Sequence, residues 1–413
     1  MNRSILLTLI LPNKNEVSVN EEIEEMILLA KTLGYNVIES ITQRRSKIDS
    51  ATYFGKGKII NLIEKCELLD VKTIFINDEI EPSFYKNIVK ICKKKLMIID
   101  RTKLILDIFN LHAKTNEAKK QIELASLEYL LPRLVGQWTH LERQMGGTGT
   151  RGGPGEKQIE IDRRLVRKSI DRLKNDLKNI KKQHYNQIKN RSNIFKVALA
   201  GYTNSGKSTL LKNITGYDVY IKDQLFATLE TITKKYTLPS NSKILLSDTV
   251  GFLRKLPHNL IASFRSTLSE IIESDLIVKV IDINSSDLDG HIETIDETLK
   301  FIGAENKKSI IVFNKIDLVC DDKLFTKINN TYKEPIMISA EKNLNVNHLI
   351  EKIDSIILES TQNFSIKIPH SDFNLIKYIY KNTAIIERVD DYEYIKFNFR
   401  CSEKVFDIIK SKI

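Results

Sequence analysis

Residues 201–208 read Gly201-Tyr202-Thr203-Asn204-Ser205-Gly206-Lys207-Ser208, and the six residues before them, 195–200, are almost wholly apolar. An apolar strand that runs into a Gly-x-x-x-x-Gly-Lys-Ser turn, with a helix continuing through Thr209, is the pattern of a phosphate-binding loop. The reason is steric. Gly201 and Gly206 let the backbone curl until its N–H groups point inward, at phosphate oxygens. Lys207 can then reach the β- and γ-phosphates. The Ser208 hydroxyl is set to bind Mg²⁺, and the following helix offers its positive end. A strand, this loop and a helix imply an α/β domain with a central, mostly parallel sheet.

The loop by itself serves ATP and GTP alike, and two later motifs choose between them. Asn314-Lys315-Ile316-Asp317 follows the apolar run 309–313. The Asp317 carboxylate can accept hydrogen bonds from guanine N1–H and from the guanine 2-amino group. Adenine offers neither, so a buried carboxylate facing it would be left unpaired at considerable cost. Ser339-Ala340-Glu341, after the apolar run 336–338, completes a base pocket. Between the loop and the base motif, Asp248-Thr249-Val250-Gly251 ends another apolar run. Asp248 there reads as the partner of a Mg²⁺-bound water, and the Gly251 N–H as a γ-phosphate contact that is lost on hydrolysis. Phe226-Ala227-Thr228-Leu229-Glu230 supplies a threonine that can close over the nucleotide, its hydroxyl on Mg²⁺. The expectation is GTP and GDP binding with Mg²⁺, and GTP hydrolysis.

The water-orienting group is missing from the pattern. Many GTPases place a glutamine just after the glycine, whereas Gly251 is followed by Phe252 and Leu253. Slow intrinsic turnover is expected, with something external completing the site. Asn204 resembles the asparagine of potassium-activated GTPases, which suggests K⁺ as one such supplement.

The 413 residues include 64 Lys and Arg against 53 Asp and Glu, a formal charge of +11. That length and composition imply a globular chain of several domains, with a tilt toward polyanionic partners. Cys66, Cys92, Cys320 and Cys401 are dispersed: no pair has metal-ligand spacing and no disulfide framework is suggested, which fits a reducing compartment. Residues 5–11 read as a strand and not a signal peptide. No run approaches the roughly 18–20 apolar residues of a membrane span. A cytoplasmic monomer without a membrane span is expected.

Along the chain, residues 1–115 alternate strands (4–11, 73–77 and 96–100) with helices (21–32 and 83–93), which predicts a small parallel α/β domain. Tyr53-Phe54-Gly55-Lys56-Gly57-Lys58 reads as a basic turn before a helix, without phosphate-loop spacing. Residues 116–192 change character. Leu124, Leu127, Leu131, Leu134, Trp138 and Leu141 step by three and four, as do Val166, Ile170, Leu173, Leu177 and Ile180. These are two helical seams. Between them Gly146-Gly147-Thr148-Gly149-Thr150-Arg151-Gly152-Gly153-Pro154-Gly155 cannot be helical. The prediction is an antiparallel helical hairpin with a glycine-rich tip, Pro132 either starting a new helical segment or kinking the first helix. Residues 141–192 hold 14 basic and 6 acidic side chains. So one-sided an excess beside that tip favours nucleic-acid contact over a merely solvated face. Residues 193–361 form the nucleotide domain, and 362–413 a small appended α/β unit.

The combination resembles the HflX family of ribosome-associated GTPases over nearly the whole chain. The most specific stretch runs from Gly146 through Arg151 and Gly155-Glu156-Lys157-Gln158 to Asp162-Arg163-Arg164. Asp100-Arg101-Thr102, the 53–58 turn and Phe226-Ala227-Thr228-Leu229 also match. Gly152-Gly153 is one residue longer than that family's usual tip, and Glu230-Thr231 replaces its Asp-Pro. The resemblance implies binding to the large ribosomal subunit, ribosome-stimulated GTP hydrolysis and the splitting of stalled or idle ribosomes under stress. It also implies that Gly146, Gly147, Gly149, Arg151, Gly153 and Gly155 approach ribosomal RNA.

Overall fold

The computed structural model describes residues 2–12, 15–93, 95–136, 156–188, 194–217, 226, 231–255, 268–319, 322–359, 361–401 and 403–412. The glycine-rich tip, Trp138, Leu141 and residues 227–230 lie outside that set.

The first sheet is built from β1 (Asn2–Ile10), β2 (Tyr35–Arg44), β3 (Thr73–Ile76) and β4 (Met97–Asp100), interleaved with α1 (Glu16–Thr32), α2 (Lys56–Leu68), α3 (Pro82–Ile91) and α4 (Arg101–His112). The strand order is β2-β1-β3-β4, parallel throughout. Alternate residues of β1 feed opposite faces: Leu6 enters one core, while Ile5, Leu7 and Leu9 enter the other. Burial on both faces suits a parallel sheet covered by helices. Two features depart from the sequence reading. Helix α1 starts five residues earlier than the apolar pattern suggested, because the Asn15 side chain caps it by accepting from the Val17 N–H. Its first turn, Glu16-Val17-Ser18-Val19, alternates polar and apolar residues and so carries no helical period. Strand β2 went unread because it is an edge strand, half-exposed along its length, and its Asn36, Glu39, Ser40, Thr42 and Gln43 hide the period of two.

Next come α5 (Asn116–Leu130), a 3₁₀ turn Leu131–Gly136, and the 33-residue α6 (Glu156–Ile188). Pro132 opens a new helical segment, as a residue without a backbone N–H can at the start of a turn. The two apolar seams meet: Leu124, Leu134, Val166, Ile170 and Leu173 form one buried cluster, flanked by Leu127, Leu131 and Leu177. The pairs Lys120–Asp176 and Lys174–Glu128 fasten its rim.

The second sheet comprises β5 (Phe195–Gly201), β6 (Ile232–Thr237), β7 (Lys243–Asp248), β8 (Leu276–Asp282), β9 (Ser309–Asn314) and β10 (Ile336–Met337). Its order is β10-β9-β8-β5-β7-β6, and only the edge strand β6 is antiparallel. The helices α7 (Lys207–Thr215), α8 (Ser269–Glu273), α9 (Leu288–Ile302), α10 (Asp322–Thr331) and α11 (Val346–Glu359) accompany it. Val197 and Leu199 face one core, Ala198 and Ala200 the other. The chain ends in an antiparallel sheet of β11 (Gln362–Pro369), β12 (Ala384–Asp390) and β13 (Tyr394–Cys401), ordered β11-β13-β12, with α12 (Phe373–Asn382) and α13 (Glu403–Lys410).

Candidate nucleotide site

The loop 201–208 sits where β5 gives way to α7, at the carboxyl end of the parallel strands, the usual crevice of an open α/β sheet. Sterics dictate both glycines. A Cβ on Gly201 would stand 2.2 Å from the Val280 carbonyl oxygen, and one on Gly206 would stand 2.1 Å from Asn314 Nδ2. Gly206 also has φ +90°, in the left-handed region that a side chain resists. Asn204 shares that region at φ +59° and is exposed. Thr209 lies in the first turn of α7.

Lys207 is buried, and its Nζ donates to the carbonyls of Gly201 (3.1 Å) and Tyr202 (2.7 Å). Burial pushes its pKa down to about 8, with the Asp248 carboxylate working the other way. The Ser208 hydroxyl donates to Asp248 Oδ2 at 2.5 Å, so two hard oxygen donors converge beside the lysine. That donor set suits a small divalent cation such as Mg²⁺. The buried hydroxyls of Thr203 and Ser205 have no hydrogen-bond partner among the described residues, as expected of a loop whose polar groups serve a ligand.

The motif 248–251 lies directly against the loop. Asp248 is fully buried, and the Thr249 hydroxyl donates to the Leu199 carbonyl (2.7 Å), holding β7 to β5. Val250 enters the apolar core. Gly251 lies against the backbone of the loop: a Cβ there would meet Thr203 Cα at 2.7 Å. Phe252 N–H then donates to the Gly201 carbonyl (3.0 Å), and the Thr203 N–H donates to the Phe252 carbonyl (2.9 Å). The Phe252 side chain is buried, so no polar group at this position can orient water.

Asn314 ties the base motif to the phosphate loop. Its Nδ2 donates to the Ser205 carbonyl (2.8 Å), and its Oδ1 accepts from the Ala340 N–H (2.8 Å). Lys315 takes φ +68° and pairs with Asp282 at 2.7 Å. The Ile316 N–H donates to the Ile338 carbonyl (3.2 Å). Asp317, partly exposed, is the middle residue of the 3₁₀ turn Ile316–Leu318. Ser339 is buried and its hydroxyl accepts from the Lys342 N–H (3.0 Å), while Glu341 is exposed. Motifs far apart in sequence thus converge on one edge. Sequence reasoning missed Asn213, whose side chain donates to the Ala340 carbonyl from α7. A polar residue on a helix carries no signal of such a partner.

The Phe226 side chain takes a direction the sequence did not indicate. It is buried edge-to-face on Phe109, ring centroids 4.5 Å apart, and joins the core of the N-terminal layer together with Tyr202, Val250 and Leu253. Charged groups cross the same boundary. Arg254 pairs with Glu21 (3.3 Å) and Asp287 (2.7 Å), and Lys255 with Glu22 and Asp78 (2.7 and 2.6 Å). Burial alone would raise the Glu21 pKa, but hydrogen bonds from His291, Ser286 and Ser285 hold it at about 2.

Three family models match in succession: "GTP-binding GTPase N-terminal" over residues 20–110, "GTP-binding GTPase Middle Region" over 112–191, and "50S ribosome-binding GTPase" over 196–315. Among curated relatives, the GTPase HflX of Caldanaerobacter subterraneus is 40% identical over 388 residues, 93% of this chain and 87% of the relative. The GTPase HflX of Flavobacterium psychrophilum is 45% identical over 315 residues, 76% of this chain and 75% of the relative. That of Escherichia coli is 34% identical over 368 residues, 88% and 86% of the two chains.

Proposed function

This chain belongs to the HflX family of GTPases and hydrolyses GTP, and on that premise we propose that it is a cytoplasmic factor that binds the large ribosomal subunit and splits stalled or idle ribosomes, hydrolysis timing its release. The observation that carries the ribosomal part is the build of α6. Its apolar seam is buried against α5, and it turns Arg167, Lys168, Arg172 and Lys178 outward, directly after a glycine-rich segment bearing Arg151. Cations fixed on a long helix neutralise phosphate, and small residues allow close approach to folded RNA. The tip residues Gly146, Gly147, Gly149, Arg151, Gly153 and Gly155 are the contacts we assign to ribosomal RNA.

Within the nucleotide site, Gly201 to Thr209 cradle the phosphates, and Asp317 reads the guanine edge, flanked by Asn314, Ser339 and Ala340. Ser208 would hold Mg²⁺ together with Thr228, and Asp248 would hold one of its waters. When bound, the ion offsets the negative charge that develops on the phosphates. Gly251 follows the γ-phosphate through its backbone N–H. With Phe252 where a polar residue often stands, the orienting group comes from outside the motif, and Asn204 is suited to hold K⁺ there. The exposed position and left-handed backbone of Asn204 support this.

The test is co-sedimentation with intact ribosomes and separate subunits, comparing a non-hydrolysable GTP analogue with GDP. Analogue-dependent binding to large subunits, with loss of intact ribosomes, is expected. Binding only to immature particles would replace splitting by assembly.

A further inference from the structure

Tyr202 occupies the second position of the phosphate loop, where only its backbone is needed for the cradle. Its carbonyl already accepts from Lys207 Nζ (2.7 Å). Its side chain is nonetheless 7% exposed, with the ring stacked on His291 at 3.9 Å between centroids and 7° between planes. A phenylalanine would satisfy that stacking. The hydroxyl is therefore the part that needs an explanation, since a buried hydroxyl is costly unless it is hydrogen-bonded.

It is bonded twice. It accepts from the Arg254 N–H at 3.0 Å and donates to Glu25 of α1. Glu25 in turn is paired with Arg101, a guanidinium 1% exposed. Arg101 donates to the Arg254 carbonyl at 3.0 Å and to Asn77 Oδ1 at 3.1 Å. The Arg254 peptide is thus gripped at both ends, its N–H by the phosphate loop and its carbonyl by the N-terminal layer. Arg254 lies three residues beyond Gly251, and the intervening Phe252 is pinned to Gly201 and Thr203 by two backbone hydrogen bonds. The segment from Gly251 to Arg254 is therefore located by contacts that run from Glu25 of α1 along two arms, through the Tyr202 phenol to the Arg254 N–H and through Arg101 to the Arg254 carbonyl.

We propose that Tyr202 is a positioning residue for GTP hydrolysis: its hydroxyl, held by Glu25 and Arg101, sets the place of the segment that carries Gly251. This rests on the reading of Gly251 as the γ-phosphate contact. The phosphate cradle itself does not involve the hydroxyl, so affinity for GDP is independent of it, whereas turnover is not.

The experiment compares full-length wild type with Tyr202→Phe in steady-state GTP hydrolysis and in binding of a fluorescent GDP. Loss of one buried hydrogen bond should lower kcat by about tenfold, with KM and GDP affinity within about twofold of wild type. Glu25→Gln, which weakens the same chain from the other domain, should lower kcat in the same direction. The double variant should be no slower than the slower single variant. Unchanged or faster turnover in Tyr202→Phe, a fall in GDP affinity matching the fall in kcat, or fully additive losses would overturn the proposal. If analogue and GDP bind the wild type alike and turnover of Gly251→Ala equals that of wild type, the γ-phosphate reading itself fails, a result distinct from any of these.

Discussion

Lys207 is a cation with almost no access to water, and its charge is the most consequential single-residue property of the site. Folding lowers its pKa from 10.5 to about 8, so between those values the unfolded chain binds more protons and stability rises with pH. Below about 8 the burial penalty is present in full. On the proposed reading, a phosphate chain beside it would supply the missing counter-charge and raise the pKa again. Near pH 8 and above, the free lysine is partly or wholly neutral while the bound one is charged, so binding takes up a proton and affinity falls as pH rises. Calorimetry of GDP binding at pH 8, in two buffers of different ionisation enthalpy, should show uptake of about half a proton. Zero uptake would mean that the lysine is charged in both states. The identity of this residue was legible from eight letters of sequence. Its burial was not, because burial depends on segments distant in sequence, among them those that carry Asp248 and Lys315, closing around it.

At the scale of elements, α6 divides its residues by face. The seam from Val166 to Leu177 packs on α5, and the cations on the other side are left to solvent. Lys174 is an exception, since it pairs with Glu128 at 2.8 Å, and so it stays in place in a charge test. Changing Lys168, Arg172 and Lys178 together to Gln should weaken ribosome binding and flatten the dependence of log Kd on log salt by about 2 to 3, near one unit per lost phosphate contact. An unchanged slope would return these residues to a solvated face. The seam could be read in advance because helical periodicity is local: residues three and four apart must share a face. Strand β2 could not, because an edge strand half in water needs no apolar alternation. The start of α1 was hidden for a similar reason, being decided by one side chain, Asn15, and not by a pattern.

At the scale of the molecule, the N-terminal layer is fastened to the nucleotide domain through buried charge. Arg101 and Glu25 are the centre of that boundary, with side chains 1% and 10% exposed. Breaking such a pair by removing one partner leaves an uncompensated buried charge. Arg101→Leu should therefore lose about 3 to 5 kcal/mol in urea unfolding. A loss below about 1 kcal/mol would show that water reaches Glu25 once the guanidinium is gone.

The chain read alone was sufficient for the nucleotide chemistry and the kind of architecture. Phosphate loops, base motifs and helical seams are local, and each is set by the steric needs of a few neighbouring residues. Asp100-Arg101-Thr102 could be matched to a family but given no role. What Arg101 does depends on Glu25, Asn77 and the Arg254 carbonyl, 76, 24 and 153 residues away. Tyr202 and Phe226 stand in motifs of a nucleotide site, yet their rings are buried against His291 and Phe109. Contacts between domains have no period and no motif, since complementarity across a boundary is a property of two surfaces. Only folding, by bringing α1, α4 and the segment after Gly251 together, decided that the nucleotide site and the N-terminal layer share one core.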